Sequence, residues 1–190
     1  FFATMQRIPR ADAADFPKAL AQMAAKVDAD IIIPCFDGEL RRIATDQEAF
    51  RGLPILLPQA DLVGTFTDKL ETARWLEQHS LPTPKTVLLD QAQADLLPLI
   101  TKPRFGSGSH GIYLVRSAIH LEGLKDEYGD SYVAQTYLEG DEKEYTCAVL
   151  RICGVTRSLV LKRRLDAGPT IRATVIESTA ITEVLTRLAL

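Results

Sequence analysis

Lys102-Pro103-Arg104-Phe105-Gly106-Ser107-Gly108-Ser109-His110-Gly111 lies between two apolar runs, Leu99-Ile100 before it and Ile112-Tyr113-Leu114-Val115 after it. The order reads as strand, flexible loop, strand. Three glycines and two serines let backbone N–H groups turn toward a polyphosphate with no Cβ in the way, and the hydroxyls add donors. Lys102, just upstream, supplies a point charge. A P-loop would open a helix at its last glycine and end in Gly-Lys-Ser/Thr. Neither feature is here, so both the P-loop and the dinucleotide fingerprint are disfavoured. A mobile hairpin tip is the alternative reading of the same residues.

The surrounding chain bounds the partner. It has 190 residues, 46% hydrophobic and 25% charged, with a net charge of −3 and an isoelectric point near 5.7. That profile belongs to a globular protein able to bury a core, without a general field for nucleic acid or anionic membrane. The expected partner is a small molecule. No apolar run approaches the ~20 residues of a membrane span, and residues 1–7 lack the order of a secretion signal, so a cytoplasmic address is expected. Cys35, Cys147 and Cys153 fall in apolar, strand-like runs and read as small core residues. His79, His110 and His120 form no ligand cluster. No covalent nucleophile stands out.

Ahead of the loop, helical spacing from Ala13 to Val27 leads into Ile31-Ile32-Ile33-Pro34-Cys35-Phe36, which reads as helix then buried parallel strand. Asp37-Gly38-Glu39 reads as a turn into a second helix, Leu40 to Phe50. Pro54-Ile55-Leu56-Leu57 reads as the next strand. The expectation is an α/β, doubly wound arrangement that opens in the middle of a unit, as if an N-terminal piece were missing. Thr67-Asp68 caps a helix running to about His79, which places Lys69 in a first turn, where a cation opposes the helix dipole and a bound anion would account for it. Strand residues resume at Thr86-Val87-Leu88-Leu89. After the loop come a helix from Ser117 to Tyr128 and the strand Tyr132-Val133-Ala134-Gln135. Then Glu144 to Leu150 and Thr156 to Leu165 form antiparallel neighbours around a turn at Cys153-Gly154. Residues 177–190 read as helix.

The order of these parts resembles the ATP-grasp superfamily, in its branch similar to carbamoyl-phosphate synthase large-subunit and D-alanine–D-alanine ligase domains. The carriers are Asp68-Lys69 before a helix, Pro82-Thr83-Pro84, Thr101-Lys102-Pro103 with the Gly106 to Gly111 loop, and Val133 to Leu138 leading through Gly140 to Glu144-Tyr145-Thr146. The resemblance implies a partial pre-ATP-grasp α/β domain over residues 1–64, a first lobe with the glycine loop over 65–135 and an incomplete second lobe over 136–190. Each lobe would hold an antiparallel sheet, giving an α/β chain that is α+β in its second part.

The resemblance also implies roles. Lys69 and Lys102 would contact nucleotide phosphates, and Gly106, Ser107, Gly108, Ser109 and Gly111 would close over them. Gln135, Thr136, Tyr137 and Leu138 would form the hinge that receives adenine. Glu144 would accept from the ribose hydroxyls; its other reading is one surface charge in the run Asp141-Glu142-Lys143-Glu144. On the strand Lys162-Arg163-Arg164, alternate residues share a face, so Lys162 and Arg164 point together. Relatives use basic residues here against the γ-phosphate or an acyl-phosphate, which implies Arg164 and Arg172 as catalytic. A charged edge that blocks aggregation is the competing reading.

The implied cofactors are ATP and Mg2+, and the implied substrates a small carboxylate and an amine. The implied activity is that of an ATP-dependent ligase forming carbon–nitrogen bonds, similar to carbamoyl-phosphate synthase. The alternative is a nucleotide-binding module without chemistry. One departure weighs here: the late glutamate and Glu-x-Asn that hold magnesium in the family have no match after Glu177. The expectation is therefore a stretch of a longer enzyme, with a degenerate binder as the other outcome. Oligomeric state stays open, a homodimer included.

Overall fold

The computed structural model describes residues 5–108, 110–139, 144–165 and 170–189. Two compact units divide the chain, Phe1–Thr72 and Ala73–Leu190.

In the first unit, α1 (Phe16–Lys26) and α2 (Asp37–Thr45) contribute Phe16 and Ile43 to a small core with Phe50, and α3 (Ala60–Phe66) packs against α2. The Phe16 and Phe50 rings meet edge to face at 5.9 Å. The second helix begins at Asp37, three residues ahead of the expected start. Acids at Asp37 and Glu39 favour that end of the dipole, and the Cys35 amide donates to Glu39 Oε2 at 3.1 Å. It ends at Thr45, and Gln47–Phe50 forms a separate 3₁₀ turn.

The expected buried parallel strand is reduced to one parallel bridge, Ile32 to Ile55. The Ile32 amide donates to the Pro54 carbonyl, and the Leu56 amide to the Ile32 carbonyl. Ile31 and Ile33 stay 53% and 59% exposed. A parallel strand is buried only when neighbours flank it and helices cover both faces, and among the described residues one short segment is paired to it.

The helix α4 (Lys69–Gln78) runs across the boundary of the two units. Its start is fixed by Asp68, 4% exposed, whose Oδ1 accepts from the Leu70 amide at 3.0 Å and the Glu71 amide at 3.4 Å.

The second unit contains two antiparallel sheets. The first has the order β1 (Thr86–Leu88), β4 (Tyr132–Thr136), β2 (Leu99–Pro103), β3 (Tyr113–Val115). Between β3 and β4 runs α5 (Ala118–Tyr128), capped by Ser117, whose hydroxyl accepts from the His120 amide. Leu99, Val115 and Ala134 join Leu121 and Leu124 of α5 in a core with Leu89 and Ala92. Strand alternation then puts Thr86, Ile100, Lys102, Val133 and Gln135 together on the opposite face.

The second sheet is β5 (Glu144–Ile152), β6 (Val155–Leu165), β7 (Thr170–Val175), followed by α6 (Thr179–Leu188). The sequence reading missed β7. The turn between β5 and β6 holds Cys153 at φ 50° and Gly154 at φ 77°, the two left-handed residues of a type I′ hairpin.

All three cysteines are exposed, which corrects the reading of them as core residues. Period-2 alternation marks a strand but not a cover for it. Cys147 lies on β5, where nearly every residue is exposed, Cys153 sits in a hairpin turn, and Cys35 follows the single parallel bridge.

Candidate functional site

The loop expected between two strands is there: β2 and β3 pair antiparallel, with Thr101 opposite Tyr113, and the glycine segment connects them. A strand follows the loop, as expected from the missing P-loop ending. Gly106 and Gly108 are exposed, and Gly111 takes φ 66°. Gly111 is also sterically required, since a Cβ there would run into the Tyr132 hydroxyl and lie 3.3 Å from Pro103 Cγ. Pro103 and Tyr132 are themselves register partners, so the C-terminal end of the loop is seated where β2 ends and β4 begins. Tyr132 stacks on Tyr128 at 4.2 Å. Tyr128 shares a 2.9 Å hydroxyl–hydroxyl hydrogen bond with Tyr113, and that bond holds its phenol well above the ordinary value. The N-terminal end of the loop is tied by the Arg104 amide, which donates to the Ser131 carbonyl at 2.9 Å. Both ends are anchored while the glycines between them carry little packing. Ser109 lies outside the described residues.

Lys102 projects from β2 on the face away from α5. Its Nζ donates to Gln135 Oε1 at 2.8 Å. Gln135 Nε2 donates to Thr86 Oγ1 at 2.8 Å, and that hydroxyl donates to the Pro84 carbonyl at 2.9 Å. Three strands thus contribute one line of polar groups to a single face. Gln135 and Thr136 close β4. The Thr136 amide donates to the Lys85 carbonyl and the Tyr137 amide to the Pro98 carbonyl. Leu138 emerges 66% exposed. The expected hinge is therefore a pinned, extended segment ending in an exposed apolar side chain. The acidic run after it, residues 140–143, lies outside the described residues.

Lys69 belongs to the first unit, in the first turn of α4. Burial lowers its ammonium pKa, and the nearby charges of Asp37 and Asp68 pull it part of the way back up.

On the second sheet, Glu144 is opposite Arg163 in register and forms an ion pair with it. Arg163 also donates to Thr170 Oγ1. Arg164 is directly opposite Arg172, and Lys162 shares their face, two residues along β6. Alternation places Glu144 and this basic group on opposite faces of the sheet. Like charges facing each other across a ladder repel, so the Arg164–Arg172 pair is stabilised whenever an anion sits between them. Thr86 and Tyr132 were not singled out from the sequence. Thr86 could have been found as the first strand residue after the Pro82-Thr83-Pro84 exit.

Among the described residues, no group of three or more His, Cys, Asp or Glu side chains converges as a metal site. These residues therefore offer magnesium no ligand set of their own. Nor is any helix among them long and apolar enough to cross a membrane.

The ATP-grasp domain family matches residues 66–164, which takes in the glycine loop, the hinge and most of β6. An uncharacterized protein of Mycoplasma pneumoniae, the MG011 homolog, is 26% identical over 126 residues, covering 66% of this chain and 43% of that protein. A D-alanine–D-alanine ligase of Ralstonia nicotianae is 38% identical over 93 residues, covering 44% of this chain and 28% of the ligase. Among solved structures, the carboxyaminoimidazole ribonucleotide synthase of Aspergillus clavatus, complexed with ATP, has a similar fold. It superposes with a TM-score of 0.64 at 16% identity, over 91% of this chain and 49% of that one. The chain thus spans less than half the length of each of these proteins. Because the family's model matches residues 66–164, half of the chain, the chain belongs to the ATP-grasp family.

Proposed function

We propose that this chain carries the nucleotide cleft of an ATP-dependent ligase. The observation that carries the reading is the pairing of Lys102 with Gln135 on the face of the first sheet opposite α5, at the point where β2 enters the glycine loop. A cation oriented by a hinge residue, beside a loop anchored at both ends, is a preorganised seat for a polyphosphate. Gly106, Ser107, Gly108, Ser109 and Gly111 close over the phosphates, and the family resemblance makes Lys69 a further candidate phosphate contact. Adenine enters beside Gln135, Thr136, Tyr137 and Leu138, with Leu138 against one ring face. On the second sheet either Glu144 receives the ribose or Arg164 and Arg172 meet the reacting phosphate, because the two sets lie on opposite faces. Residues 1–64, 65–135 and 136–190 act as the preceding domain and the two lobes.

The chemistry proposed is that of the ATP-dependent ligases this chain resembles. A carboxylate oxygen attacks the γ-phosphorus, the bond to the bridging oxygen breaks, and ADP leaves with the electron pair. An amine then attacks the acyl carbon, gives up its proton to solvent, and phosphate departs as the carbon–nitrogen bond forms. Catalysis is by position and by stabilisation of developing charge, with no protein nucleophile. The acid is bicarbonate in a carbamoyl-phosphate synthase-like reaction, or an amino acid as the name of the Ralstonia relative suggests. The setting is cytoplasmic.

The test is release of ADP and phosphate by the protein with ATP, magnesium and paired acids and amines. Release that needs both the acid and the amine supports the ligase. Release of AMP contradicts it, and saturable ATP binding with no turnover for any pair would identify a nucleotide-binding module.

A further inference from the structure

The hydrogen-bond line on the first sheet has a direction that only one arrangement of protons satisfies. A lysine ammonium can only donate, so Gln135 must present its oxygen to Lys102 and, in consequence, its NH2 group to Thr86. The Thr86 hydroxyl accepts that bond and spends its own proton on the Pro84 carbonyl. Thr86 is buried, so solvent does not readily replace a lost partner there. Thr86, Gln135 and Lys102 come from β1, β4 and β2. Gln135 lies 33 positions from Lys102 and 49 from Thr86, so the line exists only when the sheet is assembled.

From this geometry we propose that Thr86 is a positioning residue for the nucleotide: it anchors the NH2 end of the Gln135 amide, keeps the oxygen end in place against Lys102, and so holds the lysine in its phosphate-binding orientation. The proposal rests on the nucleotide reading above. Without the Thr86 hydroxyl, the Gln135 NH2 group loses its acceptor on β1. The ammonium still selects the amide oxygen, but the amide is no longer anchored from behind and does not meet Lys102 at a fixed position. The lysine keeps its charge but not its aim, and the nucleotide must then order a side chain that was ordered beforehand.

The experiment is calorimetric titration of ATP into wild type, Thr86→Val, Thr86→Ser, Lys102→Ala and the double variant Thr86→Val with Lys102→Ala. Valine keeps the branched shape that a strand accepts and removes only the hydroxyl chemistry. The expected result is a loss of roughly tenfold in affinity for Thr86→Val, the weight of one hydrogen bond to an oriented charge. Thr86→Ser should restore affinity. The valine should have almost no further effect once Lys102 is gone, because a residue that acts through another falls silent when that partner is removed. Thermal melting checks that each variant folds, and Thr86→Ala stands in if the valine does not. The proposal is overturned if Lys102→Ala weakens binding while Thr86→Val does not. It is also overturned if the valine costs the same with and without Lys102, which marks a purely structural threonine. If wild type binds no ATP, or Lys102→Ala leaves binding unchanged, the nucleotide reading fails, and this proposal with it, by a distinct pattern.

Discussion

Thr101 and Thr86 share one sheet and differ in which face they take. Strand alternation turns Thr101 into the core beside Leu99, where its hydroxyl is fully buried and has no hydrogen-bond partner. A buried hydroxyl without a partner costs about 1–3 kcal/mol. Thr101→Val is therefore expected to stabilise the protein by about 1 kcal/mol in urea unfolding, and an equal loss would mean that the hydroxyl has a partner after all. A residue-type reading of the sequence sees two threonines at strand positions and cannot separate them. Lys102 was legible because a cation beside a glycine loop has few other uses. The acceptor that aims it was not, since Gln135 and Thr86 meet it through pairings with partners far along the chain.

Elements were legible where local chemistry and period agreed. The glycines that interrupt an apolar run gave β2, the loop and β3. Ser117 and the helical spacing after it gave α5, and Cys153-Gly154 gave the hairpin of β5 and β6. The strand β7 was missed because Thr170-Ile171-Arg172-Ala173-Thr174-Val175 carries few large apolar side chains, so Arg172 stood out as a charge and not as part of a strand. The hairpin also yields a prediction. Cys153 holds a left-handed φ of 50°, a conformation that costs an ordinary side chain about 1–2 kcal/mol. Asparagine tolerates it and favours type I′ turns. Cys153→Asn should raise the thermal midpoint by roughly 0.5–1 kcal/mol of stability, whereas a lower midpoint would contradict a type I′ turn at this position.

For the molecule as a whole, a chain with a formal net charge of −3 still gathers cations at particular places. Lys102 stands at the mouth of the glycine loop, and Arg164 faces Arg172 across one ladder. A weak overall field with concentrated local charge suits a small polyanion better than a nucleic acid. The ATP-grasp order of parts was readable because motifs and spacing survive without tertiary knowledge. The exposure of Ile31 and Ile33 was not, because burial depends on what covers a strand and not on the strand's own residues. The central claim is that the Lys102 face and the glycine loop seat a nucleotide triphosphate. Titration of ATP into the wild-type protein and Lys102→Ala tests it most directly. Saturable binding that weakens by at least roughly tenfold in the variant is the expected result, the scale of one charge-assisted contact. Equal affinity in the two proteins, or no binding by the wild type, would contradict it.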